Sequence, residues 1–302
     1  MLSLAQQLLH AKTNLPTQLT SAELRALGAD VLRQSLFSAR MSNATAVQAL
    51  RSAISGILTS VAGQSADNTA EERLKLKEVG QLLGYDPAHG FPGEMAVPAE
   101  AGSLRDLFST ERLNLILKTQ EMMSQGAAKN IWGNEADALE QYPAWELVRV
   151  AAVQIPRGEK KVKGGTEEVP EDSWESRWAA ALSDTGDEDA QKIFSETNRM
   201  VARKDSPMWQ ALGDGAGGYE DTLGNDYEPF AYNSGMGRVE ISAGEFADLG
   251  GDDSGIVPQA TDFGPDTVSV SKTRFDTDIL QTLKAGLESG DLKFRMKVEV
   301  VK

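Results

Sequence analysis

Glycine is concentrated in one part of this chain of 302 residues, and that part constrains the fold most. Twelve of the 28 glycines fall between Gly213 and Gly264. Glycine adopts positive φ without steric cost and weakens the interior of helices and strands, so such a density indicates tight turns and irregular backbone. We therefore expect a turn-rich, irregular segment here.

The first 150 residues are predicted to be mostly helical. Thr20 and Glu23 form a capping box before a run of apolar residues at helical spacing. Asn43 is placed to cap a second helix. The apolar faces of residues 20–62 have two interpretations: they form a docking element for a partner, or they pack on the helices of residues 103–130.

Further segments of this region are assigned by their breakers and their periodicity. A helix is expected from Thr69 to Leu83, and the proline- and glycine-rich residues 85–102 are expected to form a linker or long loop. The longest helical stretch is expected from Ser103 to Asn130, where Thr110 can begin a second helix. Trp145 to Val153 is helix or strand, since its largely apolar run fits both.

The remainder of the chain predicts mixed structure. Residues 156–172 change from basic to acidic across Gly164-Gly165, which indicates an exposed loop or hairpin. Helices are predicted from Asp172 to Leu182 and from Asp187 to Asn198. Near the end, a helix that begins at Asp276 or Asp278 precedes an alternating strand from Lys293 to Val301.

These elements predict an α+β fold that is mostly α. We expect a helical N-terminal region at 1–100, a mixed central domain with irregular Gly-rich turns at 101–240, and a small C-terminal helix–strand element at 241–302. No apolar run approaches the roughly 18 residues of a membrane span. The N-terminus has no signal-peptide pattern, so a cytosolic origin is expected.

The composition excludes several kinds of site. The chain has no cysteine, and therefore no disulfide, zinc–thiolate site, iron–sulfur cluster or cysteine nucleophile. The two histidines, His10 and His89, are far apart in the sequence and have no accompanying motif. We expect no catalytic residue, no metal and no cofactor.

Three short motifs suggest chemistry but lack its other requirements. Asp184-Thr-Gly186 matches the core of aspartic proteases, yet three more acids follow, and a helix N-cap with acids in its first turn fits better. The acids around Asp252 do not have calcium-loop spacing. The glycines of residues 213–218 lack the Lys-Ser/Thr of a phosphate-binding loop. A hydrolase that uses Asp184 or Asp252 stays an alternative.

Charge is unevenly distributed along the chain. The net charge is −15, and residues 214–266 contain twelve acidic residues and one basic residue, Arg238. An acidic surface of this kind repels nucleic acid, so we expect a solvated surface and no specific nucleic-acid partner. The basic cluster from Arg157 to Lys163 is expected to be a solvated loop or a contact for an acidic partner surface.

Aromatic residues suggest core contacts. Each tryptophan is expected to pack in a core, with interface anchoring as the alternative: Trp132, Trp145, Trp174, Trp178 and Trp209. In the stretch YEPFAYNSGMG at 227–237, Pro229 fixes the chain direction, while Asn233 and Gly235 suit positive φ. Its apolar anchors are expected to be Phe230, Tyr232 and Met236.

Four stretches occur in a consistent order between residues 36 and 236. They are LFSARM at 36–41, the segment 104–119, YPAWELVR at 142–149, and MVARKDSPMWQAL at 200–212, which leads into PFAYNSGM at 229–236. Together they resemble the minor head, or head-morphogenesis, proteins of phages and prophages in the Mu F-like family.

The resemblance implies a non-catalytic structural protein of a tailed-phage virion, assembled in the host cytoplasm. It implies a place at the portal or head–tail region, in a symmetric or portal-linked assembly with the portal protein, the major capsid protein or both. An assembly factor that is absent from the mature virion is the alternative. The family's metal-binding knuckle is missing, and Glu228-Pro229-Phe230 stands where Pro-Pro-Phe is usual, so metal binding is not implied.

The resemblance also predicts a contact. It makes residues 227–237 the closing turn of a head-protein domain. Arg112 and Thr119 lie two turns apart on one predicted helix, and we expect them to bond to the turn after Trp209. The closing turn is then expected to be buried against that helix.

Overall fold

The computed structural model describes residues 3–27, 29–59, 65–93, 97–151, 153, 156–162 and 165–257, together with the backbone of strands at 267–271 and 297–301. About 49% is helical and 13% is strand, in several small sheets, which confirms the α+β, mostly α class. The chain forms two compact units, residues 1–124 with 262–302, and residues 125–261.

The first unit is mainly helical. Its elements are α1 (Leu4–Ala11), β1 (Thr13–Asn14), α2 (Ser21–Ala26), α3 (Ala29–Gln34), β2 (Ser35–Leu36), α4 (Ala44–Leu58) and α5 (Ser65–Leu82). Strands β1 and β2 pair in parallel. The long helix α6 (Thr110–Gly133) begins in this unit, and its residues from Gln125 onward belong to the second.

The predicted helix starts are present. The Thr20 hydroxyl accepts a hydrogen bond from the Glu23 amide at 3.3 Å, and the Glu23 carboxylate accepts one from the Thr20 amide at 2.7 Å. The Asn43 side chain accepts from the Ala46 amide at 3.1 Å. These bonds satisfy N–H groups that have no partner inside the helix, which is why both helices begin where the sequence predicts.

The apolar face of α4 is covered within its own unit. Val47, Leu50 and Ile54 lie in one buried cluster with Leu113 and Leu117 of α6. For α4, which lies within residues 20–62, the structure therefore shows the second interpretation, packing on α6.

Residues 103–109 are turns rather than the first part of the predicted helix. The Asp106 carboxylate accepts hydrogen bonds from the amides of Gly102, at 2.9 Å, and Phe108, at 3.1 Å. The Ser109 hydroxyl accepts from the Arg112 amide at 3.1 Å. Short polar side chains thus bond the local backbone and delay the helix until Thr110.

The second unit combines short helices with a three-stranded sheet. Its elements are α7 (Ala136–Gln141), β3 (Ala144–Arg149), β4 (Glu159–Val162), β5 (Gly165–Glu168), α8 (Trp174–Thr185), α9 (Glu188–Thr197), β6 (Val201–Arg203), α10 (Met208–Asp214), β7 (Met236–Ile241) and α11 (Ala243–Asp248). The sheet order is β6-β3-β7, with antiparallel neighbours. The ambiguous segment at 145–153 is therefore a strand up to Arg149.

Two other ambiguities are resolved in this unit. Strands β4 and β5 pair as an antiparallel hairpin in the segment that was predicted as loop or hairpin. The predicted N-cap role of Asp184 is wrong, because Asp184 lies in the last turn of α8, which ends at Gly186 with φ of 67°. The cap of α9 is Asp187, whose carboxylate accepts from the Ala190 amide at 2.9 Å.

Near the C-terminus, strands β8 (Thr267–Ser271) and β9 (Lys297–Val301) pair in parallel. Strand β9 falls within the predicted strand at 293–301, whereas the predicted helix that begins at Asp276 or Asp278 lies outside the described residues. No described helix is long and apolar enough to cross a membrane.

The cap assignment predicts different effects for two aspartates only three positions apart. Asp187→Ala should lower the free energy of unfolding by about 1 kcal/mol or somewhat more, because it removes the cap of α9, and also a hydrogen bond from Ser206. Asp184→Ala should cause no loss, because an acid near a helix C-terminus is not favoured by the helix dipole. Urea unfolding of both variants measures the difference, and equal losses would contradict the assignment.

Candidate functional site

The turn at 227–237 leads into β7 and is largely buried. Phe230 is fully buried, Met236 is 3% exposed and Tyr232 is half-buried. The φ angles of Asn233 and Gly235 are 52° and 65°, as predicted. The Glu228–Pro229 peptide bond is cis. The turn therefore presents its apolar side chains mainly to the interior of its own unit.

An aromatic cluster forms around Trp209 of α10. The ring of Phe230 stacks on it with centroids 6.0 Å apart and an interplanar angle of 26°. Trp145 of β3 and Trp178 of α8 meet it edge-on, at 5.9 Å and 5.6 Å. The Trp209 indole N–H donates to the Arg203 carbonyl at 2.8 Å. Stacked and edge-to-face pairs at these distances stabilise a core beyond simple burial.

Arg238 lies against this cluster and is 1% exposed. Its guanidinium carbon is 3.6 Å from the centroid of the Trp145 ring. Nε donates to the Glu228 carboxylate at 2.7 Å, and Nη1 donates to the Asp226 carbonyl at 3.3 Å. Arg238 is not among the site residues predicted from the sequence. The feature of the sequence that could have identified Arg238 is that it is the one basic residue in the acidic segment 214–266.

Glu228 holds two cations together. One carboxylate oxygen accepts from Arg238, and the other lies 3.4 Å from the ammonium of Lys129 on α6. Lys129 also donates to the carbonyl oxygen of Arg238. Burial alone would raise the pKa of Glu228, but the charges of Arg238 and Lys129 outweigh it and keep the pKa below its usual value. The carboxylate is therefore held in its charged form.

A second cation, Lys204, is buried beside Trp145. Its ammonium lies 5.1 Å from the Trp145 ring centroid and donates to the Gly133 carbonyl at 2.9 Å and to the Glu240 carboxylate at 3.0 Å. Burial lowers the pKa of Lys204, although the bond to Glu240 opposes the shift. Lys204 thereby ties the C-terminal end of α6 to the sheet.

The closing turn packs on α6, as predicted, but at Gly126. A β-carbon placed on Gly126 would overlap the Glu228 carbonyl oxygen. Arg112 lies fourteen positions earlier, which corresponds to about 21 Å along a helix. Its guanidinium donates instead to the carbonyls of Leu104, at 3.1 Å, and Ala39, at 2.8 Å.

The predicted bond between Arg112 and the turn after Trp209 is therefore replaced by bonds inside the first unit. Arg112 also donates to the Ser38 hydroxyl at 3.0 Å, which fixes the loop that follows β2. Thr119 is buried in the same helix, at 8% exposure. Of the predicted site residues, the structure brings together those in the second unit and places Arg112 and Thr119 elsewhere.

Other predictions for this unit have mixed outcomes. Trp174 and Trp178 are buried, but Trp132 is 55% exposed, so its predicted core position is wrong. Trp132 lies in the last turn of α6, where the helix reaches the surface. Arg157 is not simply solvated, because it donates to the Tyr232 carbonyl at 2.8 Å and pairs with Asp221. The acidic segment is thus partly used in internal ion pairs.

The charged groups around Trp145 bond to one another and to backbone carbonyls, although Nη2 of Arg238 has no hydrogen-bond partner, and this arrangement fixes backbone segments. Within the described ranges, no three His, Asp or Glu side chains are grouped as a metal site would require. Comparison with known proteins finds no matching family model, and neither a curated protein nor a solved structure is significantly similar to the chain.

The contact at Gly126 predicts that a glycine-to-alanine substitution in this helix lowers stability instead of raising it. Glycine to alanine in a helix normally stabilises by roughly 1 kcal/mol. Gly126→Ala should instead destabilise by about 1–3 kcal/mol or more, because the new methyl group displaces the closing turn. Gly244→Ala in α11 is the matched control, since a β-carbon there meets nothing within 4 Å. Thermal unfolding of both variants checks this, and a stabilised Gly126→Ala protein would refute the contact.

The Glu228 pair predicts a pH-dependent loss of stability. Glu228→Gln should cost about 3 kcal/mol near neutral pH, because Arg238 keeps its charge in a buried site without a counter-charge. A carboxylate with a lowered folded pKa stabilises fully above its unfolded pKa of about 4.3 and loses that contribution as the pH falls through the folded pKa. The stability gap between the wild type and the variant should therefore narrow in acid.

Denaturant unfolding between neutral and acidic pH measures this gap. Glu196→Gln on α9 is the control, because Glu196 is exposed and its change should leave the free energy of unfolding within roughly 0.5 kcal/mol of the wild type. A constant gap for Glu228→Gln down to strongly acidic pH would show that the carboxylate does not hold Arg238 through its charge.

Proposed function

We propose that the protein is a non-catalytic minor head, or head-morphogenesis, protein of a tailed phage or prophage. In this proposal it is incorporated in the virion at the portal or head–tail region, in contact with the portal protein, the major capsid protein or both. The starting point is the resemblance carried by the four ordered stretches between residues 36 and 236.

One observation carries the proposal: three segments of that resemblance meet in a single core. The stretch 142–149 supplies β3, which pairs with β6 from the stretch 200–212 and with β7 at the end of the closing turn. Trp145, Trp209 and Phe230 come from these same three segments, and the Trp209 ring contacts both of the others. Residues of these segments thus form part of one core together with α8 and α9, which supports a common fold as the source of the likeness.

The chemistry of this core favours a structural role over catalysis. Arg238, Glu228 and Lys129 are bonded to one another or to backbone carbonyls, and their geometry stabilises the turn. A buried ion pair of this type fixes one arrangement of the chain, which suits a subunit that must present a constant surface to its neighbours.

Mass spectrometry of purified particles tests the proposal. Particles from the phage or induced prophage that encodes the chain should be separated on a density gradient and digested. We expect its peptides in mature virions, in few copies relative to the major capsid protein, with an abundant host cytosolic protein as the contamination control. Presence in immature heads but not in virions would favour the assembly factor, and absence from both would refute the proposal.

A further inference from the structure

A small pocket in the first unit combines two cations with an apolar wall. Its cavity measures about 30 Å³. The cations are Arg40, which follows β2, and Arg105, in the turns before α6. The wall includes Tyr85, Phe91 and Leu107, and the Tyr85 and Phe91 rings pack against each other with centroids 5.2 Å apart.

Within the described part of the chain, the two arginines of the pocket form no ion pair. Among the described residues, neither Arg40 nor Arg105 has a carboxylate within 4.0 Å. Hydrogen bonds with Thr20, and after them the charge of Arg40, lower the pKa of Glu23, so Glu23 acts on Arg40 electrostatically without an ion pair.

The acids of the adjacent turns are occupied by their own backbone. The Asp86 carboxylate accepts from the amides of Ala88 and His89, at 2.9 Å and 3.0 Å, and contacts the His89 ring. The Asp106 carboxylate accepts from the amides of Gly102 and Phe108. Among the described residues, the pocket arginines therefore keep their positive charges unpaired in a protein whose net charge is −15.

Arg40 also has an unfavourable backbone conformation. Its φ is 63°, in the left-handed region. The other non-glycine residues with positive φ in the described ranges are Asn198 and Asn233, and asparagine tolerates this region well. Arginine does not share that tolerance, so its backbone preference does not explain its presence at this position. Strained residues of this kind are concentrated at ligand-binding positions.

The size and the charge of the pocket together select a ligand. A single water needs roughly 10–15 Å³ of such volume, so the cavity holds about two water-sized groups, which matches the two oxygens of a carboxylate. Guanidinium groups bind carboxylates through paired, charge-assisted hydrogen bonds. The apolar wall can contact the methylene groups behind the carboxylate.

We propose that this pocket binds an aspartate or glutamate side chain of an acidic peptide segment in a partner protein. That the partner is a virion protein rests on the proposed function, whereas the carboxylate specificity rests on the pocket alone. The peptide's carboxylate lies between Arg40 and Arg105, and its flanking apolar residues cover Tyr85 and Phe91.

Calorimetric titration of the full chain tests the specificity. The probes are acetyl-Leu-Glu-Leu-amide, the corresponding Gln peptide and inorganic phosphate, each up to millimolar concentration. We expect the Glu peptide to bind, the Gln peptide not to bind, and phosphate to bind more weakly than the Glu peptide. Equal binding of the two peptides, no binding of the Glu peptide, or tighter binding of phosphate would overturn the proposal.

Variants locate the binding. Arg40→Gln and Arg105→Gln should each lower the affinity for the Glu peptide by roughly tenfold or more, because each removes a charge-assisted hydrogen bond. Lys161→Gln changes the net charge equally on the exposed hairpin and should bind as the wild type does. Wild-type affinity in either arginine variant would place the peptide elsewhere and refute the site.

Arg40→Gly separates ligand binding from a structural role. Glycine removes the strain of the left-handed backbone conformation at position 40. It also keeps the hydrogen bond that the backbone N–H of this position donates to the Leu19 carbonyl, at 2.9 Å. We expect an unchanged or higher melting temperature together with lost peptide binding. A lower melting temperature with binding retained would show that Arg40 serves the fold instead. Peptide binding by a protein that is absent from virions would keep the pocket and reject only the virion partner.

Discussion

The second unit depends on the contact of Arg238 with Glu228 and Trp145. A guanidinium that is 1% exposed must be compensated, because an isolated buried charge is far more costly than any single apolar contact is favourable. Here the compensation comes from a carboxylate at 2.7 Å and an aromatic ring at 3.6 Å. Each of these groups lies on a different segment of the chain, so the charge can be buried only when all three segments are in place.

That requirement connects local sequence to tertiary structure. Glu228 lies in the closing turn, Arg238 in β7 and Trp145 in β3, while Lys129 reaches the same carboxylate from α6. At Gly126 the turn comes so near the helix that a β-carbon would overlap the Glu228 carbonyl oxygen, so only the absence of a side chain there permits the approach. The glycine and the ion pair therefore act together, because the first sets the distance at which the second can form.

The sequence predicts the features that depend on short-range chemistry and misses those that depend on distant residues. The caps at Thr20 and Asn43 and the positive φ of Asn233 follow from local rules, and all are present. The role of Arg238 and the exposure of Trp132 depend on which segments meet in space, which periodicity does not contain. The predicted N-cap role of Asp184 is wrong because Asp187, three residues later, is also a suitable N-cap and is the one that begins α9.

The buried charges also bear on the character of the surface. The buried charged residues in the described ranges are five cations and two anions: Arg33, Arg51, Arg177, Lys204 and Arg238, against Asp106 and Glu228. Arg51, for example, donates to the carbonyls of His10 and Lys12 and to the Asn14 side chain rather than to solvent.

Among the described residues, positive charge is thus buried more often than negative charge, so their exposed surface is more acidic than their own net charge. Such a surface steers cationic partner surfaces toward the protein and repels acidic ones. An acidic segment can therefore approach only where cations stay exposed together. Arg40 and Arg105 therefore contribute specificity as well as affinity in this proposal. They attract an acidic segment to the pocket, while the negative potential of the rest of the surface repels it elsewhere.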